Sequence, residues 1–172
     1  MDASDAYWGA KIVAAFTDEL IVALASAGQY SRPEVAADVE RTFRERRDRI
    51  GRYWFEVVSP LEGFELAGGE GRSRQLRFRD LGVERGYARE RRYRFETRDA
   101  TKLERIAQGE TAGEISLEID PSPPALPPDR FGRSPRLVVD VFASPEALPV
   151  RVVIGTDSEG GPKVLGWKHA PR

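Results

Sequence analysis

Ten arginines fall between Arg72 and Arg98, against only Asp80, Glu84, Glu90 and Glu96. Within that run Arg77 and Arg79, and again Arg92 and Arg94, stand two residues apart, the spacing that puts side chains on one face of a strand. A row of guanidinium groups offers forked donors to phosphate, sulfate or carboxylate. Arg77, Arg79, Arg92 and Arg94 are therefore the candidate ligand-binding residues, for an anion such as an acidic glycan. The competing use is structural. Glu114, Glu118 and Asp120 alternate in the same way along GEISLEID, and opposite charges across strands contribute a few tenths to about 1 kcal/mol per pair while setting register. Those carboxylates are also the candidates for hydrolase chemistry, because side chains two apart on a strand lie about 7 Å from each other, inside the roughly 5–10 Å that glycosidases use. Acid and arginine ladders of matching period in one chain favour charge pairing over either activity.

Other chemistries are restricted by composition. The chain has no cysteine, so it holds no disulfide, thiolate metal site or thiol nucleophile. Its one histidine, His169, is the fourth residue counted back from the end of the sequence, where a frayed tail is a poor place for the base of a Ser-His-Asp triad. Asp157 and Glu159 in GTDSEGGPK are too few, and wrongly spaced, for a calcium loop. AGGEG lacks the lysine and Ser/Thr of a phosphate-binding loop. No metal or cofactor is expected. A net charge of −1 argues against nucleic acid. No run reaches the roughly 18 apolar residues of a spanning helix, so no membrane is expected either. The acidic opening MDASDAYWGAK is unlike a signal peptide, and compartment stays open.

The elements that would position these residues divide the chain in two. Residues 1–66 read as a helical segment. Trp8, Ile12 and Phe16 recur every four residues with Ser4 as a cap; Thr17 caps a second helix, with Leu20, Ile21 and Leu24 apolar and Gly28 as its stop. A third helix opens with Ser31 and Glu34 spaced as a capping box and Tyr30 and Val35 placed as a staple. It carries an apolar stripe of Val35, Val39, Phe43, Ile50, Trp54 and Val57, broken at Arg46 and Arg47. This stripe is expected to bolt the helices onto the rest, with Trp54 in the core and Arg46 or Arg47 as candidates for a buried ion pair. SPLEGFEL closes the helical part. Residues 67–172 read as an antiparallel β domain sharing that core. Six stretches alternate or run apolar as strands do: RQLRFRDL, YARERRYRFETR, GEISLEID, RLVVDVFA, PVRVVIG and KVLGWK. PSPPALPPDRFGRSP reads as a stiff surface connection. The expected fold is α+β: about three N-terminal helices packed on a small antiparallel sandwich or partly open barrel of five to six strands.

The run from AYWGAKIVAAF to PLEGFEL resembles a region near the C-terminus of large uncharacterised bacterial proteins, where a similar helical run precedes a β region. The resemblance implies a module of a longer protein. It brings no activity and assigns no residue a role. The function expected is thus a non-catalytic interaction or positioning module, its partner a protein or the remainder of a longer polypeptide. An anion or acidic-glycan binder and a carboxylate hydrolase are the alternatives.

Overall fold

The computed structural model describes residues 3–68, 73–89, 91–97, 105–108 (backbone alone), 113–120, 137–156, 158–159 and 161–170. The proline-rich connection and Asp157 lie outside the described residues.

Three helices come first: α1 Ala3–Ala14, α2 Asp18–Ala27 and α3 Pro33–Val57. Thr17 caps α2 as its sequence implies, its hydroxyl accepting from the Leu20 amide, and Gly28 closes it. The cap of α3 is Arg32, which makes no side-chain cap bond, with Pro33 starting the helix; Ser31 lies one residue outside. Ser4 falls inside α1. α3 runs unbroken through Gly51, where a β-carbon would stand 2.4 Å from the Tyr87 ring. The missing side chain lets the ring lie against the helix.

Among the described residues, eight strands then form two four-stranded antiparallel sheets with no closed barrel. They are β1 Leu61–Ala67, β2 Arg74–Asp80, β3 Arg94–Thr97, β4 Arg105–Gln108, β5 Glu114–Ile119, β6 Leu137–Phe142, β7 Val150–Thr156 and β8 Pro162–His169. One sheet runs β1-β2-β5-β4, the other β3-β6-β7-β8. A one-turn helix, α4 Leu81–Glu84, follows β2. The fold class is the expected one. Two strands exceed the expected six. β1 lies in a segment read as helical, because Leu61 and Phe64 are three apart; Gly63 at φ +65 and a bulge between Glu62 and Glu65 turn both inward. β4 falls in TKLERIAQGETAG, a stretch whose pattern reads as a loop or one weak helical turn rather than a strand.

Alternation produces the sandwich core directly. On β5, Ile115, Leu117 and Ile119 are buried while Glu114, Ser116 and Glu118 are half-exposed. Leu76 and Phe78 of β2 meet Leu137, Val139, Val141, Val150, Val152 and Ile154 of the other sheet in one cluster. Phe78 stacks on Phe64 and meets the edges of Tyr93 and Phe95. A second, smaller cluster joins the helices to one end of the sandwich through Tyr7, Phe55, Val58, Leu81 and Leu148. There the chain leaving α3 is tied into the β6–β7 loop: Ser59 N–H donates to the Leu148 carbonyl, Leu148 N–H to that of Val57, and the Ser59 hydroxyl accepts from the Ala143 amide. No helix among the described residues is long and apolar enough to cross a membrane.

Candidate functional site

The four arginines proposed as one anion-binding face do not share a face. Phe78 points between the sheets, so Arg77 and Arg79 point away from the core on β2. Phe95 also points between the sheets, so Arg94 lies on the outer face of the opposite sheet. Pairing decides this. β3 joins β6, whereas GEISLEID (β5) joins β2 and β4. The expected pairing of arginine and acid ladders holds only on β2, where Arg79 stands opposite Glu62 and Glu114 and Arg77 opposite Glu65. Arg79 forks onto Glu84 at 2.6 and 2.7 Å, and that bond holds its guanidinium above the usual range. Arg94 pairs with Glu96 and lies 3.9 Å over the Phe142 ring. Arg92 is exposed. Glu114 and Glu118 sit on the outer face of β5 beside these arginine-bearing strands, and among the described residues no three acidic or histidine groups are placed to hold a metal.

Of the two ion-pair candidates, Arg47 is the one drawn inward. It bridges α2 and α3, contacting Asp18 at 2.6 Å, Asp48 at 2.8 Å and the Phe16 carbonyl at 2.9 Å. Asp48 and Asp18 hold its guanidinium well above the usual range. Arg46 is exposed, with no ion-pair partner among the described residues.

The fully buried pair lies elsewhere, inside the basic run. Asp80 is wholly buried and Arg91 only 4% exposed, with Nε 3.2 Å from Oδ2. Asp80 Oδ1 accepts from the amides of Gly82 (2.7 Å) and Val83 (3.2 Å), which caps α4, and Oδ2 accepts from the Tyr93 hydroxyl at 3.0 Å. Arg91 also donates to the Phe55 carbonyl at 3.0 Å. Burial pushes the Asp80 carboxyl up, opposed by Arg91, Tyr93 and the two amides. The centre ties α3, β2, α4 and the segment leading into β3 together, and Asp80, Arg91 and Tyr93 line neither of the two hollows that flank α1. A cue existed in the sequence: an aspartate at the end of a strand, followed by LGVE, is a helix-capping pattern.

His169 is not on a frayed tail. On β8 it stands opposite Val150 of β7, and its imidazole lies tilted against the Tyr7 ring, 4.5 Å between centres, with Nε2 3.1 Å from the Ser59 carbonyl. Tyr7 carries a buried hydroxyl with no hydrogen-bond partner among the described residues, and burial, with Glu62 and Asp80 near, pushes its phenol up. Burial holds the His169 pKa below the ordinary 6.5; the Ser59 carbonyl and Glu62 oppose this and Lys11 adds to it. Between the lowered value and 6.5 the folded protein binds fewer protons than the unfolded chain. The stability it contributes is complete above 6.5 and is lost as pH falls through the lowered value. Melting measured from pH 7.5 downward should therefore decline below about 6.5, and His169→Gln should flatten that decline. An unchanged slope in the variant would show that His169 is not the titrating group.

What remains is the helical surface. Trp8 and Ile12 of α1 and Phe16 just beyond its end are exposed, Trp8 at 64%, while Tyr7, Ala10 and Ala14 face inward. On α2, Leu20 and Leu24 are exposed beside buried Ile21 and Ala25. On α3, Val35, Phe43, Ile50 and Tyr53 are exposed; Trp54 and Val57 are half-buried, and only Gly51 and Phe55 are fully covered. The side that turns inward carries Glu40, Arg44, Arg47, Asp48, Gly51 and Phe55. At 3.6 residues per turn it is offset from the apolar stripe by about a third of a turn. Val13, Phe16, Ile21, Leu24 and Phe43, with Arg46 and Arg47, line a groove of about 250 Å³ between the three helices. On the other side of α1, Trp8 and Ile12 overlook a hollow of about 320 Å³ reaching Lys11, Glu62, Arg79 and Arg85. There Lys11 pairs with Glu62 and Arg79 with Glu84. The α1 ridge thus connects the two depressions.

Comparison of the chain with family models, with curated proteins and with solved structures found no match.

Proposed function

We propose that this protein is a non-catalytic interaction module that docks a protein partner on the outward apolar surface of its three helices. The observation that carries the reading is that Trp8, Ile12, Phe16, Leu20, Leu24, Val35, Phe43, Ile50 and Tyr53 are all exposed on one helical segment. Single exposed apolar residues are ordinary; a contiguous set rimmed by charge marks a contact surface. The rest of the fold supports the reading. The polar centre at Asp80 and Arg91 holds elements together, and the outward carboxylates of β5 line neither hollow. The groove is apolar along its walls, with Arg46 and Arg47 at its edge, which suits an amphipathic helix carrying acidic residues.

The surface makes a direct prediction. In dilute solution the folded protein should enhance the fluorescence of an apolar dye, and Leu24→Asp with Phe43→Asp should remove most of that signal. Because both residues are exposed, the melting temperature should stay within the range of ordinary surface changes, about 0.5 kcal/mol each. Loss of several kcal/mol with unchanged dye binding would show these side chains to be core, and the reading would fail.

A further inference from the structure

We infer that the partner for this surface is a second copy of the chain, docked through α3 lying antiparallel to the partner's α3 across a twofold axis. The inference rests on the reading of the helical face as a docking surface. Its own basis is the charge order along α3. In the first half Glu34, Asp38, Glu40 and Glu45 outnumber Arg41 and Arg44 by two; in the second half Arg46, Arg47, Arg49 and Arg52 outnumber Asp48 and Glu56 by two. A helix acidic at one end and basic at the other is self-complementary when antiparallel, and the macrodipoles oppose in the same arrangement.

The uncommitted cations lie in the basic half; the acids of the other half sit in exposed or half-exposed pairs, Glu34 with Arg32, Asp38 and Glu45 with Arg41 and Glu40 with Arg44, which are weak enough to exchange partners. Arg46, Arg49 and Arg52 are exposed and have no ion-pair partner among the described residues, although arginines elsewhere on α3 do. Arg46 interrupts the exposed stripe between Phe43 and Ile50. The stripe is centred near residue 44, so a twofold there sets Arg46 over the partner's Phe43 and Val35 against the partner's Tyr53. A guanidinium over an aromatic face is favourable, more so when desolvated. The arrangement thus explains a cation in an apolar stripe. Size is adequate too. A helix of 25 residues is about 37 Å long and about 10 Å wide, so α3 alone presents about 370 Å² per chain. Phe16 and Leu24 of the adjoining groove, with the exposed Leu20 of α2, extend this toward the roughly 800 Å² per partner of a stable interface.

Sedimentation equilibrium from about 1 to 100 µM, the range in which interfaces of this size begin to associate, tests the inference. The wild type should be a dimer whose dissociation constant rises with salt. Arg49→Glu with Arg52→Glu should weaken it about tenfold or more. Adding Glu34→Arg and Asp38→Arg to the same chain should restore most of the affinity. The two half-reversed variants, mixed, should form a heterodimer in preference to either homodimer. A wild type that stays monomeric yet binds the apolar dye through Leu24 and Phe43 overturns the self-partner and leaves the docking surface standing. A monomer without that dye site overturns both. A dimer indifferent to the reversals and to Phe43→Asp uses another surface and overturns the antiparallel α3 contact.

Discussion

Arg91→Met is expected to lower stability by about 3–5 kcal/mol, the range for removing one partner of a buried ion pair. Arg91 and Asp80 are 4% and 0% exposed, so Asp80 has no water to turn to once the guanidinium is gone. The Tyr93 hydroxyl and the Gly82 and Val83 amides remain on the carboxylate, which keeps the loss below that of an isolated buried charge. Asp80 anchors α4, and Arg91 holds the Phe55 carbonyl at the end of α3, so the damage should reach the seam between helices and sheet. For a chain this long, 1 kcal/mol moves the melting temperature by about 2–4 °C, so the fall is on the order of 10 °C. Chemical denaturation of Arg91→Met, Asp80→Asn and the double variant would measure it. The double variant should cost less than the two singles together, because neither partner is then left alone. A loss under about 1 kcal/mol for Arg91→Met, no more than an exposed pair contributes, would show that the pair does not hold this seam.

The second large effect separates two neighbours on α3. Phe55→Ala should cost about 3–5 kcal/mol, as for a large aromatic lost from a packed core. Phe55 is 1% exposed and meets Tyr7 and Tyr87, each at 5.7 Å. Its removal would leave a cavity where α1, α3 and the segment after α4 converge, walled by rings that cannot easily collapse. Trp54→Ala, which the apolar stripe marks as the core substitution, should cost only about 1–2 kcal/mol, because Trp54 is half-buried and its ring meets the exposed Tyr53. Thermal melts of the two variants side by side decide the matter. A larger loss for Trp54→Ala would mean that α3 is turned by about 100°, one residue, from the orientation described here.

That orientation is where the sequence and the tertiary structure part company. Several elements follow from local chemistry alone. Thr17 opens α2 because a hydroxyl cap acts on its own turn; at the other end Gly28 stays helical and the left-handed residue is Gln29, at φ +47. β2 and β5 expose their charges and bury Leu76, Phe78, Ile115, Leu117 and Ile119 because the strand period of two sorts side chains before any partner is chosen. The absence of cysteine and the single histidine restricted the chemistry from the outset. The α+β class was legible for the same reason, since a change of period needs no knowledge of contacts.

Partner choice was not legible. The arginine pairs 77/79 and 92/94 look alike in the chain, and only the pairing of β3 with β6 sets the second away from the first. The buried ion pair is not at Arg46; Arg47 is partly drawn in, and the fully enclosed arginine is Arg91, because enclosure depends on where α3 ends against β2 and α4. His169, at a sequence end that suggests fraying, is held by β7 and Tyr7. The apolar stripes of α1 and α3 mark what must be covered but not by what. Ala10, Ala14 and Gly51 let backbones and Tyr87 approach closely, so those faces turned inward and the larger apolar side chains stayed outside. Periodicity belongs to one segment, whereas burial belongs to the assembly of all of them. One side of α1 and of α3 is covered at the end of the sandwich and α2 packs on α3, which leaves the larger apolar side chains of the three helices exposed.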